Sequence, residues 1–208
     1  CKLLIAKESD TEWYAVLDAK TWFVNPLDLS KLFTDNKYHA RLIKWHKHFS
    51  ASVDSINKQF SINMTETIAP AGVPFFFHRQ TVLDMIEYIE NVANPDEKFH
   101  DFFLLRSRVE NPGYITEFCL YSGYIIFKHE HLGHLYHISS VDYTLTPVNI
   151  DVYNIPEDIN RVDELLDAMH DPKTVTASVH RNTIARLSPR QLRRWLDFLE
   201  ERNLVETQ

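Results

Sequence analysis

The sequence predicts an α/β fold in which helix outweighs strand. Short β-rich apolar runs, WYAVLD at 13–18 and TVTASV at 174–179, alternate with amphipathic stretches at 79–92, 115–131 and 160–169, and such mixing along a chain is the mark of an α/β architecture. The 208 residues are 44% hydrophobic and 12% aromatic, so a sizeable core can be built and the composition argues against disorder. No repeat or low-complexity linker divides the chain, so a single α/β domain with helical insertions is expected over 1–208.

The elements are expected as follows. KLLIAKE at 2–8 reads as the end of a helix and 13–18 as a buried strand. NPLD turns the chain, and 28–34 forms a short helix behind Asp28. Leu42, Trp45, Phe49, Val53 and Ile56 recur at steps of three or four, which predicts one helix over 38–59. APAGVPFFF breaks it and delivers a strand. Helices are expected at 79–92, at 99–107, and at 115–131 with Phe118, Leu120, Tyr121, Ile125 and Ile126 on the apolar side. HLYHISS reads as a strand and 145–156, with two prolines, as an irregular connection. A helix at 160–169 and the 174–179 strand follow. Ser188-Pro189 opens the last helix, a capping residue before a proline that fits the first turn, and Trp195, Phe198 and Leu199 dock it.

Composition narrows function. A net charge of −7 and a pI near 5.9 argue against a nucleic-acid partner, which calls for a basic domain. Only Gly72, Gly113, Gly123 and Gly133 occur, and neither a GxGxxG nor a Walker loop can be made from them. Cys1 and Cys119 are too few for a disulfide framework, which favours a reducing, cytoplasmic setting. No apolar run reaches the roughly 18–20 residues of a membrane span. The chain starts at Cys and passes at once into a helical pattern, so an N-terminal piece of the natural protein is expected to precede it.

Polar residues at the ends of core elements are the candidates for chemistry. Asp18 follows an apolar strand, at the carboxyl edge where open α/β sheets bind ligands. There it can hold a divalent cation or a ribose hydroxyl, or simply cap the next turn. Lys20 can neutralise phosphate as a point charge or pair with Asp18. Glu117 opens a helix, where acids are favoured, so an ordinary first-turn role outweighs that of a base toward a hydroxyl, with Tyr121 one turn along. His180 and Arg181 follow the 174–179 run. Histidine can ligate a metal and arginine can clamp phosphate. In KHEHLGHLYH, His129, His131, His134 and His137 crowd together. Gly133 stands where a zinc-protease motif needs its second histidine, so packing is the better reading.

Taken in order, KLLIAKESDTEWYAVLDAKTWFVNPLDL, PFFFHRQTVLDMIE, ITEFCLYSGYI and ASVHR resemble a family of bacterial and viral glycosyltransferases, in which a KL helix leads to a YLVLDSK or YLVLDAD strand, a TEF-LYG-Y helix and a late SVHR. The resemblance runs from Lys2 to about Trp195. It implies a Rossmann-like GT-A domain, here without its first strand, that moves a sugar from a nucleotide-sugar donor to a hydroxyl on a glycan or small acceptor, as in polysaccharide biosynthesis. It also implies that Asp18 opens an Asp-x-Asp element holding a divalent metal, Mn or Mg, with His180 as a late metal or phosphate contact. Lys20, His180, Arg181 and Tyr121 would lie on the donor side, and Glu117 would be an acceptor-side acid. Lys20 stands where the second acid belongs. An ammonium does not ligate a cation but does neutralise a diphosphate, so a metal-independent site is the alternative. Two rivals stay open: a GT-A-like interaction module without catalysis, and a metal hydrolase built on the histidine cluster.

Overall fold

The computed structural model describes residues 2–18, 20–40, 42–43, 49–68, 74–108, 113–138, 146–150, 160–172, 174–179, 181–202 and 204. In chain order the first elements are β1 (Trp13–Val16), β2 (Thr21–Phe23), β3 (Phe33–Thr34), β4 (Lys37–Ala40), β5 (Leu42–Ile43), α1 (Ser50–Phe60) and β6 (Thr67–Ile68). There follow β7 (Phe75–His78), α2 (Arg79–Tyr88), α3 (Phe99–Arg106), α4 (Glu117–His129) and β8 (Tyr136–Ile138). The last are β9 (Thr146–Ile150), α5 (Asn160–Ala168), β10 (Thr174–Val179), α6 (Arg181–Ile184) and α7 (Pro189–Glu201). The chain is mixed α/β, and its described strands form small sheets of two or three. The single domain expected over 1–208 divides into two compact units. Unit 1 comprises Cys1–Val16, Leu32–Pro70 and Phe75–Val141, and unit 2 comprises Leu17–Lys31, Ala71–Pro74 and Asp142–Gln208.

In unit 1, β1 pairs antiparallel with β7, placing Tyr14 opposite Phe77 and Val16 opposite Phe75. Tyr14 and Val16 point inward while Ala15 is exposed, so β1 is half-buried rather than the fully buried strand expected. In helix α4 every residue from Phe118 to Ile125 is buried, a wider burial than the single apolar side expected from the spacing. Its Tyr121 Oη accepts from the His78 backbone N–H at 3.0 Å and shares a 3.0 Å hydrogen bond with Tyr136 Oη. Tyr136 Oη also donates to the Phe76 carbonyl at 2.7 Å. Burial drives the Tyr136 hydroxyl well above its ordinary pKa, so the chain of bonds is neutral.

Two expectations fail on local grounds. The helix expected over 38–59 exists only as α1. Ahead of it, β3 and β4 form a hairpin across Asp35 (φ 48°) and Asn36 (φ 62°). These are residues that tolerate the left-handed region a two-residue hairpin turn requires. Tyr38 and Ala40 alternate inward, and β4 continues parallel to β8. Residues 44–48, including Trp45, lie outside the described residues. The irregular connection expected at 145–156 contains β9, with Pro147 inside it. In the order β2–β10–β9 this strand lies at the end of its sheet, where proline is tolerated.

In unit 2, β10 pairs antiparallel with β2 and parallel with β9. One face carries Ala177, Val179 and Trp22 into a core with Val162, Leu166, Trp195, Phe198 and Leu199 from α5 and α7. Trp22 meets Trp195 edge-on at 5.4 Å. Ser188 and Gln191 form a capping box before Pro189, as the sequence indicates.

Gly123 is the tightest joint in unit 1. A Cβ there would lie 2.2 Å from Ile56 Cγ2, the β-branched and therefore stiff side of a buried α1 residue. Helix propensity alone would make Gly123→Ala stabilising by about 1 kcal/mol. Overpacking should reverse the sign, and urea denaturation should show a loss of about 1–3 kcal/mol.

Candidate functional site

The register of β2 and β10 builds the candidate site in unit 2. Thr21 lies opposite Ser178, Trp22 opposite Ala177 and Phe23 opposite Thr176. Because the strands are antiparallel, the beginning of β2 lies beside the end of β10. Asp18 and Lys20, just before β2, therefore share a sheet edge with the turn from β10 into α6, which begins at Arg181. The parallel partner β9 ends there too, with Ile150 opposite Val179.

At this edge the Thr21 amide donates to the Asp18 carbonyl at 2.9 Å, closing a tight turn. Lys20 Nζ stands 4.0 Å from Asp18 Oδ2, and both side chains are about 30% exposed or less. The chain thus holds a carboxylate and an ammonium partly withdrawn from water, at the mouth of a sheet. His180 lies outside the described residues, as does the side chain of Arg181.

The implied metal can be tested on the donor set. Among the described residues no three His, Cys, Asp or Glu side chains converge. Asp18 has an ammonium as its neighbour where a second carboxylate would be needed. Lys20 supplies the positive charge at Asp18, and His180, the other metal contact that the resemblance implies, lies outside the described residues.

Glu117 and Tyr121 belong to unit 1. Thr116 caps α4 by accepting from the Cys119 N–H at 3.3 Å, and Glu117 occupies the first turn with a 3.4 Å ion pair to Lys2. Lys2 also lies over the Phe118 ring at 4.8 Å. This is the ordinary role weighed from the sequence, now with its partners. Tyr121 is fully buried and its hydroxyl is engaged within the core, so the donor-side contact expected of it has no surface to act from.

Residues that sequence reasoning passed over lie in the same two segments of unit 2. The Oγ1 atoms of Thr21 and Thr183 are buried without a hydrogen-bond partner among the described residues. Threonine in or beside a strand is what β propensity leads one to expect, so nothing in the sequence marked them.

The histidine cluster is resolved into ring pairs. His129 and His134 stack at 3.7 Å with an interplanar angle of 7°, and His39 meets His137 edge-on at 4.6 Å across β4 and β8. His78 caps α2, its Nδ1 lying 2.9 Å from Thr81 Oγ1. Desolvation holds His39, His78 and His129 below the ordinary histidine pKa. His137 adds to this at His39. His134, Lys128 and His131 add to it at His129, while Glu12 opposes it at His78 and Asp84 at both His78 and His129. A lowered histidine pKa stabilises the fold above the unfolded value of about 6.5, and that stability is lost as pH falls below it. The melting temperature should therefore drop between about pH 7.5 and 5.5, and His129→Gln should flatten the drop.

No helix among the described residues is long and apolar enough to cross a membrane. No curated protein matches the sequence. Residues 1–155 match a family of unknown function, DUF6492, taking in all of unit 1 and the β2 side of the candidate edge. The chain therefore belongs to DUF6492, a family whose function is not known.

Proposed function

We propose that this chain is a glycosyltransferase of GT-A type that moves a sugar from a nucleotide-sugar donor to a hydroxyl acceptor, with the donor diphosphate held at the β2/β10 edge of unit 2. The observation that supports this reading is the strand register. It carries Asp18-x-Lys20 and the beginning of α6 at Arg181, some 160 residues apart in the sequence, to the same end of one sheet. Sugar transfer builds negative charge on the departing diphosphate, and fixed cations at that place lower the barrier. Lys20 serves as the point charge and Arg181 as the planar clamp, while Asp18 holds the ammonium in position or accepts from a ribose hydroxyl. His180 belongs to the same segment. Glu117 belongs to unit 1, where it pairs with Lys2, and its acceptor-side role is what the resemblance alone implies.

A second reading draws on the same ammonium. With Lys20 in the place of the second acid, the fold serves as a binding module that holds the nucleotide without turnover.

Isothermal titration with UDP, GDP, ADP and CDP, with and without manganese, tests the proposal. At least one should bind without manganese, and Lys20→Ala should weaken it on the order of tenfold, the loss of one charge-assisted contact. Binding of none of them would contradict the proposal. Binding without turnover of any corresponding nucleotide-sugar would favour the module.

A further inference from the structure

A buried hydroxyl without a partner is costly, and native proteins keep few of them. Among the described residues unit 2 keeps three: Thr21, Thr176 and Thr183 each have a buried Oγ1 with no hydrogen-bond partner. Thr176 and Thr183 are almost wholly buried, at 0% and 4% exposure. Their places in the sequence differ in a way that matters. Thr21 directly follows Lys20 and is the first residue of β2, while Thr183 lies in α6, two residues after Arg181. Thr176 sits inside β10, opposite Phe23 and away from the edge.

Side-chain alternation separates the two faces of this sheet. Trp22, Ala177 and Val179 turn to the core, so Thr21 and its partner Ser178 take the other face. Thr21 is thus excluded from the apolar core by its register and yet buried without a partner. A hydroxyl in that state can turn its proton to an incoming acceptor, and the ammonium of Lys20, the residue before Thr21, favours an acceptor that is anionic.

We infer that Thr21 and Thr183 are diphosphate-binding residues, whose hydroxyls donate to phosphate oxygens of the ligand that Lys20 and Arg181 neutralise. The inference rests on the donor-diphosphate reading and deepens it. It converts a recognition set of charges into one that also has direction, because each hydroxyl makes a single aimed bond where an ammonium does not.

The test uses Thr21→Val, Thr183→Val and Thr176→Val in the full chain, with the tightest-binding nucleoside diphosphate of the panel above as the probe. Every valine should raise the melting temperature of the ligand-free protein, since each removes an unpaired buried oxygen. Thr21→Val and Thr183→Val should each weaken binding roughly tenfold, the value of one hydrogen bond to a charged oxygen. Thr176→Val should bind like the parent, and Thr21→Ser and Thr183→Ser should keep most of the affinity. Equal affinity of the parent, Thr21→Val and Thr183→Val overturns the inference and leaves the diphosphate reading standing. An equal loss in Thr176→Val also overturns it, because the effect would then be a general disturbance of the sheet. A parent protein that binds no nucleoside diphosphate overturns the donor reading and the inference with it. Should a valine variant fail to fold, its serine counterpart decides: retained affinity supports the inference, and a loss as large as tenfold counts against it.

Discussion

Unit 2 depends on the pairing of β2 with β10. The two strands are remote in sequence, and their register decides which residues reach the core and which reach the edge. Several bonds fasten it. The Val24 amide donates to the Val175 carbonyl at 2.9 Å, and Asn25 Nδ2 donates to the Thr174 carbonyl at 2.6 Å. Arg202, at the end of α7, donates to the Val24 carbonyl at 2.9 Å. A slip of one residue would turn Trp22 out of the core and bring Thr21 in. The aromatic contact of Trp22 with Trp195 and the placement of the Thr21 hydroxyl on the other face are therefore two consequences of one register.

Unit 1 answers to a different constraint, the burial of α4. A helix apolar on every side must be enclosed, and α1, α2 and the aromatic strand β7 enclose it. Around α4 most of the polar atoms carried inside are paired, whereas elsewhere in unit 1 Trp13 Nε1, Tyr14 Oη and Asn94 Nδ2 are buried without a hydrogen-bond partner among the described residues. Thr67 donates to Ser122 at 3.0 Å, and the Thr116 amide donates to Ser52 Oγ at 2.9 Å. Tyr121 and Tyr136 bond to each other and to the backbone at Phe76 and His78. The partners of Tyr121 set it apart from Thr21. Both carry hydroxyls and both are buried at the oxygen, but only the threonine's has nothing to bond.

The parts of the fold written in local patterns could be read from the sequence. Helix α2 and helix α7 announced themselves by amphipathic spacing and by Ser188-Pro189, and β10 by its run of β-branched residues. What misled was spacing without punctuation. Leu42, Phe49, Val53 and Ile56 fit a helical period, yet Asp35-Asn36 had already turned the chain into a hairpin. Pro147 argued against a strand because its place at a sheet edge is a tertiary fact. The candidate site was legible in part: Asp18 and Lys20 stand out by their position after a strand, whereas the edge they share with β10 follows from a pairing that no local pattern encodes. Thr21 and Thr183 were invisible, since only the burial of an oxygen without a partner distinguishes them from any strand or turn threonine.

The most direct test of this account is a crosslink across β2 and β10. In the Thr21→Cys/Ser178→Cys double variant the two thiols face each other on one side of the sheet, and mild oxidation should join them in high yield, as read by peptide mapping. In Trp22→Cys/Ser178→Cys they point to opposite faces and should stay apart. If the second pair joins and the first does not, the register is wrong by one residue, and the shared edge on which the proposed diphosphate site stands is lost.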